Sequence, residues 1–173
     1  MQAAVVGAGI TGITTAYYLA KAGYSVTIYD ERKYPAMATS YANGGQLSAS
    51  NSEVWNSWRS VYKGIKWLAK KDAPLKVNPW PSPDKYSWLF KFIKEIPNAD
   101  LNTQRTCEMA LEAHHLYKKI AFEENIQFDK VEKGILHIYT DETEYENAKR
   151  VNEVYARAGL KRWPVTADEC LKI

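Results

Sequence analysis

Gly7-Ala8-Gly9-Ile10-Thr11-Gly12 sits between an apolar run, Gln2–Val6, and a periodic stretch from about Ile10 to Ala22. No other feature of the 173 residues narrows the fold as far. The run before the glycines reads as a short buried strand, the stretch after them as a helix, and Gly23 as a helix stop. Ser25–Tyr29 (SVTIY) reads as a second strand, closed by Asp30. Strand, helix and strand within about thirty residues make a βαβ unit, with parallel neighbouring strands and a right-handed crossover. The expected class is α/β, opening on a Rossmann-type unit.

Each glycine in the turn has a mechanical reason. Gly7 permits the tight turn, and Gly9 lets the backbone approach a pyrophosphate with no Cβ between. Gly12 lets the helix pack closely on the strands. The helix N-terminus offers N–H groups and partial positive charge to phosphates. Val6, Ala8, Ile10 and Thr11 complete the turn as candidate cofactor contacts. Asp30, eighteen residues beyond Gly12, is placed to accept hydrogen bonds from a ribose diol, which disfavours NADP. The pattern serves NAD and FAD alike. A glycine-rich turn that binds no nucleotide is the plain alternative, and the strand, helix and acid around this one weigh against it. Thr39–Ser48 (TSYANGGQLS) gathers small residues, glycines and amides, so its backbone can line phosphates and reach a large ring. On composition alone it would be an ordinary surface loop.

Beyond residue 50 the β-α-β rhythm stops. Val54, Trp58, Val61, Tyr62, Ile65 and Leu68 recur at helical steps within 54–69, with Arg59, Lys63, Lys66 and Lys70 on a separate face. Pro74, Pro79, Pro81 and Pro83 exclude a regular helix over 74–83. Further helices are expected over Tyr86–Ile96, stopped by Pro97, over about Leu101–Asn125, and over Glu142–Ala158, closed by Gly159. In the long one, Cys107, Ala110, Leu111, Tyr117, Ile120 and Ala121 face a core. Gly134–Tyr139 (GILHIY) reads as a strand, and 160–173 as a short strand and the start of another helix. The chain divides into residues 1–50 and 51–173, as though a second domain were inserted after the first βαβ unit.

Composition excludes several classes. Apolar types at 46% and charged types at 25% describe a soluble globular chain rather than a disordered one. No run of eighteen apolar residues exists, which argues against a membrane-spanning helix, and the apolar start lacks the basic flank of a secretory leader. Cys107 and Cys170 form no CxxC pair, so neither a disulfide framework nor a zinc site is expected, and a cytoplasmic setting is the default. His114-His115 are adjacent on a helix and point apart, which does not suit a metal. His137 alternates within the expected strand; a packed or solvated histidine is the favoured reading, and one facing a cavity the second. The net charge of +3 conceals a cluster: residues 59–94 hold nine basic side chains against Asp72 and Asp84, and five of six tryptophans lie in or beside them. The favoured reading of that segment is an ordinary helix that packs its apolar face on the core and solvates its lysines. Peripheral contact of residues 55–94 with a membrane is the second. Nucleic acid is set aside because no recognisable module accompanies the charge.

VVGAGITGITTAYYLAKAGYSVTIYDER followed by ATSYANGGQLS resembles the N-terminal part of FAD-dependent D-amino acid dehydrogenases, within the D-amino-acid-oxidase-like flavoproteins. The likeness continues through Gly64-Ile65-Lys66-Trp67, Ala73-Pro74-Leu75, Glu124–Phe128 and Glu144–Ala148. The resemblance implies noncovalent FAD, with Gly7, Gly9 and Gly12 at its pyrophosphate and Asp30 at its adenosine ribose. Arg32 is implied over the adenine, with Glu31 standing where relatives often carry Arg. Ser40, Asn43, Gly44, Gly45, Gln46 and Leu47 are implied along the path from phosphates to isoalloxazine.

The resemblance further implies oxidative deamination of a D-amino acid to a 2-oxo acid and ammonia, with electrons passed to an acceptor such as quinone. Residues 1–50 would be the FAD-binding part and 51–173 the beginning of an α+β substrate domain. The order of motifs is that of the leading part of a longer two-domain flavoprotein. The family's substrate-binding residues come largely from a later half, so no catalytic residue is assigned. A related amine or imino acid oxidoreductase (glycine, sarcosine or proline), or a non-catalytic piece binding at most the ADP half of FAD, are the alternatives. The expected location is cytoplasmic, at most peripheral to the inner face of a membrane.

Overall fold

A computed structural model describes residues 1–68, 72, 73, 78 and 80–172. Ala69, Lys70, Lys71, Pro74, Leu75, Lys76, Val77, Pro79 and Ile173, on which parts of the helix, proline, basic-segment and tail expectations fall, lie outside the described residues. The chain divides into two compact units, Met1–Gln46 and Leu47–Ile173.

In the first unit, β1 (Gln2–Val6) leads through the glycine turn into α1 (Ile10–Lys21), and β2 (Ser25–Tyr29) returns beside β1. The strands pair in parallel, Gln2 opposite Ser25 and Val6 opposite Tyr29. Gly23 ends α1 at φ +86°, a left-handed conformation that favours glycine. Its N–H donates to the Ala20 carbonyl at 2.9 Å, and the Tyr24 N–H reaches the Leu19 carbonyl at 3.1 Å. Val5 and Ala16 are buried. The expectation of a buried first strand needs correcting, since Val6 is 88% exposed. A parallel strand is buried on both faces only when helices cover both, and in this unit α1 is the one helix.

The second unit is helical: α2 (Trp58–Leu68), α3 (Pro83–Lys94), α4 (Ala99–Glu123), α5 (Glu142–Arg157) and the single turn α6 (Ala167–Cys170). Short 3₁₀ turns stand at Ala49–Asn51 and Ile96–Asn98. Helix starts follow local caps. The Ser57 hydroxyl accepts the Ser60 N–H at 3.1 Å, so α2 begins four residues later than Val54. The Ser82 hydroxyl accepts from Lys85 with Pro83 in the first helical position, so α3 begins three residues before Tyr86. The Asp141 carboxylate accepts the Glu144 N–H at 2.9 Å to open α5, and Gly159 closes it at φ +88°.

Packing centres on the α4–α5 seam, where Cys107, Val151 and Tyr155 form a buried cluster flanked by Leu111, Ala158 and Leu160. The Tyr155 hydroxyl accepts the Glu53 N–H at 3.0 Å and donates to the Ser50 carbonyl at 3.0 Å. The Thr103 hydroxyl accepts the Val54 N–H at 3.2 Å. The segment Ser50–Val54 is thereby stitched onto both helices.

Gly134–Tyr139 corrects a second expectation: it is not a strand, and β1–β2 is the only sheet among the described residues. β-branched and aromatic content favours extension, but a ladder needs a partner, and no described segment pairs with GILHIY. The short strand expected after residue 160 is absent from the described residues for the same reason, while the helix start expected there is α6. An α+β pattern for this unit is therefore not what its described residues form.

Candidate functional site

The turn between β1 and α1 is built by contacts too close for side chains. Gly7 stands at φ +98°, and its N–H donates to the Tyr29 carbonyl at 2.7 Å, locking the turn to the end of β2. At Gly12 a Cβ would lie 1.8 Å from the Gly7 carbonyl oxygen and 2.9 Å from its carbon. Only glycine lets α1 cross the turn there. A Cβ on Gly9 would meet just the Ser40 hydroxyl, at 3.4 Å, an ordinary contact. The freedom at Gly9 is therefore not used by the protein's own packing.

Asp30 closes the turn from the other side. Its Oδ2 accepts the Ala8 N–H at 2.6 Å and its Oδ1 the Arg32 N–H at 2.8 Å. The Ala8 amide first, then the Arg32 amide, hold the Asp30 carboxyl below the ordinary aspartate range. Arg32 donates through Nη1 to the Met37 carbonyl at 2.7 Å, and its Nε lies 3.4 Å from a Glu31 carboxylate oxygen. Ser40 reaches back to the start of α1, where its hydroxyl accepts the Ile10 N–H at 3.0 Å. Asn43 folds on itself, its carboxamide oxygen accepting the Gly45 N–H at 2.7 Å, with Gly45 at φ +63°.

The structure thus brings Gly7–Gly12, Asp30, Arg32 and Ser40 together around the N-terminal end of α1. Two of its bonds were not expected. The carboxylate assigned to a ribose also holds the turn, and the Ile10 amide at the helix start is capped by Ser40. Val6 and Ile10 are exposed, Ala8 is buried, and Thr11 is exposed while Gly12 is half-buried. Glu31, Asn43, Gly44, Gly45 and Gln46 are exposed loop residues of the first unit. Leu47 is the first residue of the second unit, and about half exposed.

The second unit has a cavity of about 320 Å³ that the sequence reading missed; Ser50, Glu53, His137, Tyr139, Tyr155 and Arg162 are among its lining. His137 Nε2 lies 2.7 Å from the Ser50 hydroxyl, which lies 3.0 Å from the Ser48 hydroxyl. Arg162 donates to the Asn152 side chain at 2.5 Å and to the Ala148 carbonyl at 2.9 Å. Burial, then the Arg162 cation, lowers the pKa of His137 and favours its neutral ring. Burial raises the pKa of Tyr155. Nothing in the local sequence marks Ser50 and His137 as partners, because eighty-seven residues separate them.

The pattern of the family described as "FAD dependent oxidoreductase" matches residues 2–173. A protein of Mesorhizobium japonicum named D-amino acid dehydrogenase 3 is 51% identical over 165 residues, covering 95% of this chain and 40% of that protein. Proteins named D-amino acid dehydrogenase from Paramagnetospirillum magneticum and Dechloromonas aromatica are 40% and 37% identical over the whole chain and 42% of their own length. The chain thus spans about two-fifths of the length of the curated relatives it matches. No solved structure matches it. With the family pattern running from β1 to the last residue, the chain belongs to the family of FAD dependent oxidoreductases.

Proposed function

We propose that the protein acts as an FAD-dependent dehydrogenase of D-amino acids, and that Met1–Gln46 holds the ADP half of the FAD. The observation that carries the reading is the crossing at Gly12, where α1 runs so close to the Gly7 carbonyl that its N-terminus is set directly above the turn. Gly9 beside it keeps an open approach that the protein's own packing does not require. A helix N-terminus met through a Cβ-free turn suits a pyrophosphate.

In this reading, backbone N–H groups of Gly9–Gly12 hold the phosphates. Asp30 keeps acceptor capacity for a ribose diol, since each carboxylate oxygen accepts one hydrogen bond from the protein and has a further lone pair. Ser40 yields the Ile10 amide to a phosphate oxygen or shares it. When bound, FAD supplies the two-electron acceptor. The amino acid loses two electrons and two protons to become an imino acid, and water then releases a 2-oxo acid and ammonia. Support for the D-amino acid comes from the names of the relatives, the first of them at 51% identity. A quinone is the proposed onward acceptor of the electrons.

The test uses the full-length protein. It should purify yellow, release FAD on acid denaturation, and lose its oxidised flavin spectrum when D-alanine is added without oxygen. Failure to take up FAD overturns the nucleotide reading. Bound flavin that stays oxidised with every D-amino acid overturns the substrate reading.

A further inference from the structure

The proposed flavin chemistry does not call on the cavity of the second unit, yet the walls of that cavity carry an unusual set of charges. Ser50, Glu53, His137, Glu144, Tyr155 and Arg162 are among its lining. Glu144 is already neutralised: it accepts from Arg59 through both oxygens, at 2.5 and 2.9 Å, and lies 3.6 Å from Lys63. Glu53 and Arg162 differ from it. Among the described residues neither has an ion-pair partner, and they do not pair with each other. Glu53 is anchored through its backbone, where its N–H donates to the Tyr155 hydroxyl at 3.0 Å, and the residue is exposed. One unmatched acid and one unmatched base thus line the same small space.

Arg162 is held firmly, and only by neutral groups. Its Nε donates to the Asn152 carboxamide oxygen at 2.5 Å, its Nη1 to the Ser50 carbonyl at 3.4 Å and its Nη2 to the Ala148 carbonyl at 2.9 Å. The guanidinium carbon stands 5.0 Å from the centre of the buried Tyr155 ring. A half-buried cation with neutral partners keeps its charge uncompensated. Of the five guanidinium N–H groups, one on each terminal nitrogen is left over. Two such N–H groups are what a carboxylate accepts from an arginine. The Ser50 hydroxyl, 2.7 Å from His137 Nε2, adds polar wall without charge, because burial and the Arg162 cation favour the neutral imidazole.

We propose that this cavity is a binding site for a free α-amino acid in its zwitterionic form, with the carboxylate at Arg162 and the ammonium at Glu53. Other classes of ligand leave a charge mismatched. A simple anion drawn to Arg162 meets the carboxylates of Glu53 and Glu144 in the same walls, and a simple cation meets Arg162. A metal ion is disfavoured too, since no group of His, Cys, Asp and Glu among the described residues could hold one. The volume of about 320 Å³ lies at the small end of ligand pockets and suits a molecule of few heavy atoms, not a dinucleotide. Because the guanidinium is fixed beforehand, little side-chain freedom is lost on binding. Every residue of the site belongs to Leu47–Ile173, and none of its contacts requires a flavin, so the site stands apart from the dehydrogenase reading.

The experiment follows the imidazole NMR signal of His137 in the full-length protein, labelled at histidine, kept free of oxygen and assigned by its loss in His137→Gln. Glycine, acetate and methylamine are the probes, the second lacking the ammonium and the third the carboxylate. Glycine should move the signal saturably, and it should bind about tenfold more tightly than either fragment, the worth of one charge-assisted contact. Sodium chloride at equal concentration should leave the signal in place. Glu53→Gln should bring glycine down to the affinity of acetate while acetate binds no more weakly than before. Arg162→Met should bring glycine down to the affinity of methylamine. Arg162 also holds three neighbours, so the probe series and Glu53→Gln decide the matter if that variant does not fold. A signal that glycine leaves unmoved would overturn the proposal. So would acetate binding as tightly as glycine, which would make the cavity a plain anion site, or a Glu53→Gln protein that keeps its preference for glycine. Bleaching of the flavin by D-alanine is a separate readout, so any of these failures leaves the dehydrogenase reading standing.

Discussion

Oδ2 of Asp30 lies 2.6 Å from the amide nitrogen of Ala8, so the acid that ends β2 holds the glycine turn that follows β1. Its other oxygen holds the amide of Arg32, and both bonds favour the ionised form. A folded-state pKa below the ordinary value near 3.8 means the bonds contribute fully above that value and fade as pH falls through the lower one. The amide proton shifts of Ala8 and Arg32 should therefore titrate together, with a common midpoint below 3.8. Independent midpoints, or a shared one above the ordinary value, would contradict this coupling.

Gly12 and Gly9 should separate stability from binding. A methyl at residue 12 meets backbone at 1.8 Å, so Gly12→Ala should force α1 away from the turn and destabilise the protein by about 1–3 kcal/mol in urea denaturation. Gly9→Ala should leave the denaturation midpoint nearly unchanged, since its Cβ meets only a hydroxyl at 3.4 Å, while weakening FAD at least tenfold in a fluorescence titration. Equal loss of stability in both variants would remove the distinction.

Tyr155 is 1% exposed, and its hydroxyl serves both the Glu53 amide and the Ser50 carbonyl. Tyr155→Phe keeps the ring and strands those two groups, at a cost of about 1–3 kcal/mol by urea denaturation. Added protease should cut near Ser50–Val54 faster in the variant, because that segment loses its attachment to α5.

His137 sets a second pH dependence. Ser50 and Arg162 contact or influence it, and Glu53, Tyr139, Glu144 and Tyr155 line the same cavity. Its folded-state pKa is depressed below the ordinary 6.5, so as pH falls the unfolded chain gains a proton first. Stability should be full above about 6.5 and decline between that value and the lower, folded-state pKa. His137→Gln should flatten the plot of melting temperature against pH across that window. A slope equal to that of the unsubstituted protein would show that other groups control it.

The first forty-six residues were largely legible because their structure is local. Gly7, Gly9, Gly12 and Gly23 mark turn and helix end, and two apolar runs mark strands that pair across a short crossover. Helices α4 and α5 were legible through periodicity, with Cys107 correctly facing the core. GILHIY was misread because strand propensity describes a residue's fit to a ladder, while the partner strand is a tertiary matter. The Ser50–His137 pair was invisible for the same reason, depending on how a loop lies over α5. The apolar face of residues 54–69 was expected to pack on a core, yet no residue of α2 is buried, because periodicity identifies an amphipathic face without saying which way it turns.

The seam between α4 and α5 also furnishes the protein with an internal clock. Cys107 is 0% exposed and burial raises its thiol pKa, whereas Cys170 is partly accessible. A thiol reagent should modify Cys170 promptly and Cys107 only at the rate at which the two helices part. Every lost contact along that seam, whether from Tyr155→Phe or from acidification around His137, then becomes readable as a rate constant without adding any label to the native chain.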